Sequence, residues 1–418
     1  MKNTRILVSA YGCEPGKGSE QGVGWHWCLE LAKLAELVVF TRSNNQASIQ
    51  AAIPPELRSR IKFKYFDLPS SVRRFKDKEK GFYLYYLLWQ WGVYRQVKEL
   101  IAFEEFDYSM HLTFGSIWLP TFLHLSRVPF IWGPIGGGEA VPFSLIRTLP
   151  LSSKIVQYAR YALMAVIPIN PFILNIMRRS TVILCRTEDT ARLIPKRYAS
   201  KVHLVLETAI ASDMINRTVA RLQPKGRGEI QVIYTGRLIA LKNVAVAIHA
   251  AARAITRGAK LRLLIVGDGP LREDLKALAN ALNIAEFVEF RGFLSQEETI
   301  QLLRSSDVYL FPSLKEGGSW SLMEAMSAGL PVICVKSSGM ALITDEVSAI
   351  RIEAKSQTQM IEDFSHALFD LALSPEKRRR LGDSARRRIE KDFQWGNKKE
   401  FMRALLSELN NVSSSNVS

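Results

Sequence analysis

Acidic residues, cysteines and histidines are all in short supply in this chain, and each shortage excludes something. Four cysteines, Cys13, Cys28, Cys185 and Cys334, are spread without metal-ligand spacing. That pattern argues against a zinc site or a disulfide framework and predicts buried thiols in a reducing compartment. Six histidines form no constellation, so neither a nucleophilic triad nor a metal site is expected. No clean apolar run reaches the length of about 18 residues needed to cross a bilayer, and no signal-peptide core precedes the first strand. The expectation is a cytoplasmic protein. With 40 acidic against 56 basic residues, the formal charge is +16. An anionic partner is therefore expected. Zinc-finger spacing and the aromatic signature of RNA-binding domains are both missing, so nucleic acid is not the partner the sequence favours.

The surplus charge is uneven. Residues 1–200 hold 26 basic and 15 acidic residues, a balance of +11, most of it from residues 51–100 and 151–200. These stretches also carry aromatic and apolar segments, at 81–91 and 161–177. Together they suggest a face for an anionic membrane surface. The alternative for residues 140–180, interrupted by Pro168 and Pro171, is a pair of helices packed on a sheet.

At 418 residues the chain is long enough for two domains with filled cores. Short apolar runs alternate with helical periods in two series, predicting an α/β protein of two doubly wound domains. Strands are expected at 5–11, 36–41, 61–67, 107–112, 128–132, 181–185 and 202–206. A second series begins at 230–235 and continues at 261–266, 286–290, 307–311 and 331–335. The polar stretch 212–228, with Pro224, Gly226 and Gly228, reads as a linker between a domain of 1–211 and one of 229–391. A final helix at 392–410 and a disordered tail at 411–418 complete the expectation. In such sheets ligands bind beyond the carboxyl ends of the strands.

The stretch 308–332 is the most informative. Its apolar run ends at Pro312 and Ser313, Glu316-Gly317-Gly318 makes an open turn, and a helical period follows until Gly329 and Pro331 stop it. Glu316 falls in the loop and Glu324 inside the helix. The amides of 318–321, including Gly318, Ser319, Trp320 and Ser321, point from the helix N-terminus and suit a phosphate. Carboxylates that bind hydroxyls, beside amides that bind phosphate, suggest a sugar nucleotide. Gly236-Arg237 follows strand 230–235, and Lys242 comes five residues after Arg237. Two cations there could neutralise a departing diphosphate without a metal. Gly267, in Val-Gly-Asp-Gly-Pro, ends another strand with a turn that is either structural or open to a ligand. Phe293 and Leu294 are similarly placed.

The Gly-rich segment 12–24 is not a P-loop: its spacing is one residue short, and Gly18 stands where Ser or Thr would hold magnesium. The strict dinucleotide fingerprint fails as well. It reads as a loop leading to a helix at 25–35, with room for a ligand near Gly22. His111 ends a strand, where it either faces the ligand cleft or is a satisfied core histidine.

Taken together, Glu316-x7-Glu324 within Phe-Pro-Ser-Leu-Lys-Glu-Gly-Gly-Ser-Trp-Ser-Leu-Met-Glu, Tyr-Thr-Gly-Arg-Leu with its following lysine, and Val-Gly-Asp-Gly-Pro resemble a retaining glycosyltransferase of family 4. The resemblance implies the GT-B architecture, two Rossmann-like domains facing across a cleft, with the last helix crossing back to the first. It implies that Glu316 touches the donor sugar, that Glu324 binds the ribose, and that Arg237 and Lys242 hold the diphosphate. The amides near Gly318–Ser321 would assist, Gly22 would leave room for the phosphates, and residues around Phe293 would border the base. The implied donor is a UDP-, GDP- or ADP-linked sugar, the acceptor a glycan or polyprenyl-linked glycan, and no metal or other cofactor is required. Many relatives carry a histidine after the strand that here ends in Gly133-Pro-Ile-Gly-Gly-Gly-Glu139, and this chain has none there. Gly136 and Gly137, with His111, are the acceptor-side candidates. Asn243 stands where a glycine often follows the lysine, and Glu207-Thr-Ala-Ile210 and Ser338-Gly339-Met340 replace common family segments. A non-catalytic scaffold with a basic binding face and a nucleotide-sugar epimerase are the alternatives.

Overall fold

A computed structural model describes residues 4–73, 81–218 and 228–415. The chain divides into two compact units, one of Met1–Gly138, Met164–Glu207 and Trp395–Ser418, the other of Glu139–Leu163 and Thr208–Gln394.

The first unit is a seven-stranded sheet of β1 (Arg5–Ser9), β2 (Glu36–Thr41), β3 (Ile61–Tyr65), β4 (Tyr108–His111), β5 (Phe130–Ile135), β6 (Ser180–Cys185) and β7 (Val202–Leu204), in the order β3-β2-β1-β4-β5-β6-β7. The second has six strands, β8 (Ile230–Thr235), β9 (Leu261–Val266), β10 (Val288–Gly292), β11 (Val308–Phe311), β12 (Val332–Val335) and β13 (Ala349–Ile352), in the order β10-β9-β8-β11-β12-β13. Neighbouring strands pair in parallel throughout. Parallel sheets need helices on both faces, and the central strands are accordingly apolar on both sides: β11 and β12 are buried along their whole length. In each sheet the strand order reverses once, between β1 and β4 and between β8 and β11. At such a point the loops leave in opposite directions and open a crevice.

All twelve expected strands form, within a few residues of their expected limits, and β13 is an additional edge strand. Three helical segments differ. The first helix is Ser19–Ala32, not 25–35, so Gly22 lies within a helix rather than in a loop. Two glycines inside the helix obscure its period, yet Gly24 is there for packing. A Cβ on it would lie 2.0 Å from the Gly12 carbonyl oxygen. Residues 212–218, read as linker, form helix Ser212–Thr218 in the second unit, where Thr218 Oγ1 bonds Ser327 Oγ at 3.3 Å. The rest of the expected linker, 219–227, lies outside the described residues, and Gly228 sits two residues before β8 begins. The last helix runs Trp395–Ser415, into the stretch expected to be a disordered tail. Residues 416–418 lie outside the described residues. This helix groups with the first unit, where Trp395 stacks on His26 at 4.8 Å.

The aromatic segment 82–91 opens helix Phe82–Leu100, whose Tyr85, Tyr86, Trp89, Val93 and Val97 are buried in the first unit's core. Residues 143–179 form helices too. Helix Pro171–Arg179 packs as expected, with Ile173, Ile176 and Met177 in the core. Helix Leu151–Val166 does not, since Gln157 is its one buried residue.

In the second unit, strand ends are locked by contacts that only glycine permits. Gly236 N–H donates to the Val266 carbonyl at 2.9 Å, Gly267 N–H to the Gly292 carbonyl at 2.7 Å, and Leu238 N–H to the Asp268 carbonyl at 2.9 Å. Gly267 has φ 130°, and a Cβ there would sit 2.0 Å from the Gly236 carbonyl oxygen. The Gly267→Ala variant is therefore expected to lose about 3 kcal/mol of stability through strain and overlap. Gly396→Ala, in open helical space, should gain up to about 1 kcal/mol. Urea-unfolding midpoints check both, and equal midpoints would show that the interlock is dispensable.

Candidate active site

The loops at the carboxyl ends of β8 and β11 meet where the second sheet reverses its strand order. Leu314 N–H donates to the Leu241 carbonyl at 2.9 Å, joining the two loops backbone to backbone. Across this junction Lys242 Nζ forms an ion pair with Glu316 Oε1, and Ser313 Oγ donates to the same carboxylate oxygen. Both charged side chains are largely shielded, and Lys242 also lies over the Phe311 ring at 5.6 Å. Arg237 is different. Its side chain is exposed, and no ion pair engages it among the described residues. The junction thus holds one neutralised pair and one available guanidinium.

Backbone conformation explains one departure from the family pattern. Asn243, immediately after Lys242, has φ 53° and ψ 36° in the left-handed region. Asparagine is among the few non-glycine residues that adopt it readily. Gly339 backs the Glu316 loop, where a Cβ would come 1.5 Å from the Gly317 carbonyl oxygen, and its N–H donates to the Glu316 carbonyl at 3.2 Å. Gly318 is pinned in the same way against Thr208, whose Oγ1 would lie 2.0 Å from an added Cβ.

Helix Trp320–Ser327 follows. Its cap is Ser319, whose hydroxyl accepts from Leu322 N–H at 3.4 Å and lies 3.2 Å from Ser321 Oγ. The amides of Trp320 and Ser321 begin the first turn and have no acceptor within the helix. Glu324, one turn on, accepts from Gln296 Nε2 at 3.1 Å. Enclosure pushes its carboxyl pKa up, opposed by the Gln296 hydrogen bond and by nearby Arg217. Gln296 and Arg217 come from helix Gln296–Ser305 and helix Ser212–Thr218.

Beneath the carboxylates are two tyrosines that sequence reading passes over as strand residues. Tyr234 Oη donates to the Arg237 carbonyl at 3.2 Å, and a Cβ on Gly236 would collide with that hydroxyl at 2.7 Å. Tyr309 Oη lies 2.9 Å from Thr235 Oγ1. Burial raises both phenol pKa values, with Glu316 adding to the effect on each and Glu324 on Tyr309. Both therefore stay neutral hydrogen-bonding groups. Gly267 belongs to the glycine interlock described above. Phe293 is 86% exposed just beyond β10, with Leu294 partly buried beside it. A flat apolar ring presented to solvent is what a nucleobase would stack on.

The remaining candidates lie in the first unit. Gly22 is buried one turn into its helix. Gly136 has both backbone groups engaged within the unit: its N–H donates to the Gly115 carbonyl at 2.7 Å, and its carbonyl accepts from Ile117 N–H at 2.8 Å. An added Cβ would strike Arg186 Nε at 1.7 Å. The Gly137 carbonyl accepts from Trp118 Nε1 at 3.3 Å. These glycines admit neighbouring side chains. His111 is fully buried, with Nε2 3.3 Å from Tyr86 Oη, and desolvation lowers its pKa to about 4. A set of charges absent from sequence reasoning gathers in this unit. Glu20 Oε2 accepts from Phe114 N–H at 2.9 Å, Arg186 pairs with Glu207 at 3.2 Å, and buried Lys398 has its pKa lowered to about 8 by desolvation, opposed by Glu207. No local spacing links positions 20, 186, 207 and 398, so no motif could have revealed them.

Residues 219–388 match the family described as glycosyl transferases group 1. The GDP-mannose-dependent alpha-(1-6)-phosphatidylinositol dimannoside mannosyltransferase of Mycobacterium tuberculosis is 32% identical over 168 residues, 40% of this chain and 41% of that protein. The D-inositol 3-phosphate glycosyltransferase of Rhodococcus erythropolis is 30% identical over 239 residues, 53% of this chain and 52% of that protein. The matches thus span about half of these relatives or less. Among solved structures, Anabaena HepE in complex with UDP and glucose superposes with a TM-score of 0.59 at 13% identity, over 97% of this chain and 100% of that one. That likeness is one of fold. The chain has the α/β fold of two Rossmann-like domains found in GT-B glycosyltransferases.

The state of His111 has a measurable consequence. It is neutral when folded down to about pH 4, whereas in the unfolded chain it protonates near 6.5. Its contribution to stability is complete above pH 6.5 and falls as the pH drops towards 4, by about 3 kcal/mol in all. Unfolding free energies of the native protein and His111→Gln should converge or cross over that window. Parallel pH profiles would show that the imidazole is not buried in its neutral form.

Proposed function

We propose that the chain is a retaining glycosyltransferase that moves a sugar from a nucleoside-diphosphate sugar to a glycan or lipid-linked glycan acceptor. One observation carries the reading: the Lys242–Glu316 pair and the available Arg237 lie at the reversal point of a parallel sheet, beside the open amides of helix Trp320–Ser327. A diphosphate there meets a guanidinium and first-turn amides together. Lys242, held by Glu316, sits ready to share its charge with the phosphate as negative charge develops on the leaving group. Glu316 then accepts hydroxyls of the donor sugar, positioning the anomeric carbon. Glu324, oriented by Gln296, accepts a ribose hydroxyl, and Phe293 stacks on the base. The bond from the anomeric carbon to the diphosphate oxygen breaks, one to the acceptor oxygen forms on the same face, and the acceptor hydroxyl's proton passes to the departing diphosphate.

The names of the relatives support this reading. One uses GDP-mannose and acts on a phosphatidylinositol glycolipid, and the Anabaena neighbour holds UDP and glucose. A donor carrying UDP, GDP or ADP is accordingly proposed. In this reading the two cations do the work that a divalent metal does elsewhere, and no metal is required.

A panel of nucleotide sugars, screened by thermal shift and then by mass spectrometry of products, should identify a donor. With that donor, Arg237→Ala and Glu316→Ala are each expected to lower kcat/KM by about 10²–10³-fold while leaving the melting temperature within a few degrees. Product NMR should show the donor's anomeric configuration, and EDTA should leave the rate unchanged. Full activity in both variants, or inversion at the anomeric carbon, would overturn the mechanism. A panel without any bound donor would favour the scaffold reading.

A further inference from the structure

Helix Leu151–Val166 is amphipathic, but it is mounted with its faces reversed. Ile155, Val156, Ala159, Ala162, Leu163 and Val166 recur at helical spacing and form one apolar stripe that faces solvent. Ile155 and Val156 are each 61% exposed, and Leu163 is 55% exposed. The opposite face is polar and points inward. There Gln157 is buried, Arg160 Nε donates to the Glu139 carbonyl at 2.8 Å, and Tyr161 Oη donates to the Val141 carbonyl at 2.9 Å. An apolar stripe normally turns towards the core because burial is favourable. Here hydrogen bonds from the polar face hold it outward, so its exposure is a consequence of how the helix is anchored.

The surroundings indicate what covers the stripe. From residue 140 to residue 163, the part of the second unit that carries the helix, the chain contains no aspartate or glutamate, while Arg147 and Lys154 supply cations. Arg147 is exposed, and Lys154 lies half-buried on the flank of the helix next to Tyr161, from where its long side chain can reach the headgroup level. Phe143 and Tyr158 pack edge to face at 5.7 Å, and both are partly exposed beside the helix. Apolar area, aromatic rings and cations without carboxylates are what the interface of an anionic bilayer selects.

Among the described residues no single helix is long and apolar enough to cross a membrane. Leu151–Ile169 and Pro171–Arg179 meet that test only as a pair bent by 56°. The second of these helices is tied to the core through Ile173, Ile176 and Met177. The pair therefore does not span. We propose that helix Leu151–Val166 lies in the plane of an anionic lipid surface, with the stripe from Ile155 to Val166 in the acyl boundary and Arg147 and Lys154 at the headgroups.

This inference stands independently of the transferase reading, and its test needs no substrate. The full-length protein should float with phosphatidylcholine vesicles containing about 30% phosphatidylglycerol, and much less with phosphatidylcholine alone. Ile155→Asp with Leu163→Asp, at positions already in water, should keep the melting temperature and lower partitioning at least about tenfold. An environment-sensitive fluorophore attached at Ala159→Cys, the four native cysteines being buried, should shift to the blue on binding and be quenched by spin-labelled acyl chains, a signal that lipid alone produces. Unchanged flotation of the double variant would overturn the proposal, as would failure of the native protein to float. A dimer in light scattering that the double variant abolishes, without vesicle binding, would assign the stripe to a second copy of the chain instead.

Discussion

Close approach of backbones at the carboxyl ends of the second sheet is the constraint on which the candidate site depends. Peptide groups come together there at separations that exclude a Cβ. Gly267 meets the Gly236 carbonyl, Gly269 meets Leu238, and Gly339 meets the Gly317 carbonyl. Each contact fixes one loop against its neighbour. The hydrogen bonds that accompany them, from Gly236 to Val266 and from Gly267 to Gly292, satisfy backbone groups that would otherwise be left unpaired at the strand ends. The loops bearing Arg237, Lys242 and Glu316 therefore need no closing motion of their own to be brought together. A charged constellation holds its geometry best when the elements beneath it cannot shift.

On that base the charges are arranged unequally, and the proposed chemistry relies on that inequality. Lys242 and Glu316 compensate one another in a shielded setting, where an isolated charge would be costly. Arg237 stays in solvent, where an unpaired guanidinium costs little and attracts an anion. Between them Tyr234 ties the Arg237 carbonyl to the strand, and Tyr309 lies under both carboxylates without ionising. Glu324 is partly desolvated, and Gln296 directs it. Under the proposed function, donor binding would exchange one set of partners for another without leaving a bare charge.

Two neighbouring segments show how the same hydrophobic period leads to opposite outcomes. Helix Pro171–Arg179 buries Ile173, Ile176 and Met177, and its cap Asn170 accepts from Phe172 and Ile173 N–H. Helix Leu151–Val166 carries an equally clear stripe but is held by Arg160 and Tyr161 from its other side. Periodicity records that a helix has two faces. Which face meets the protein depends on the partners available to each, and those come from elsewhere in the chain.

Much of this was legible in the sequence because it is local. The alternation of apolar runs and helical periods determines two parallel sheets, since fully buried strands need unbroken apolar stretches. The order Glu316, Gly317, Gly318 and then a helix determines a carboxylate beside an open N-terminus, because helix geometry places those groups within a few residues of one another. The start of the first helix, Ser19–Ala32, is not legible in the sequence because Gly22 and Gly24 look like loop residues until Gly12 is seen against Gly24. Helix Ser212–Thr218 reads as linker in the sequence because it is short and polar, and it is sustained by contacts such as Thr218 with Ser327. Tertiary structure alone decided that Lys242 pairs with Glu316 across 74 positions. It alone gathered Glu20, Arg186, Glu207 and Lys398, and it alone turned the stripe on helix Leu151–Val166 outward. Composition and spacing report what a segment can do. Pairing between distant segments is settled only when the sheets form, because it depends on which loops the strand order brings side by side.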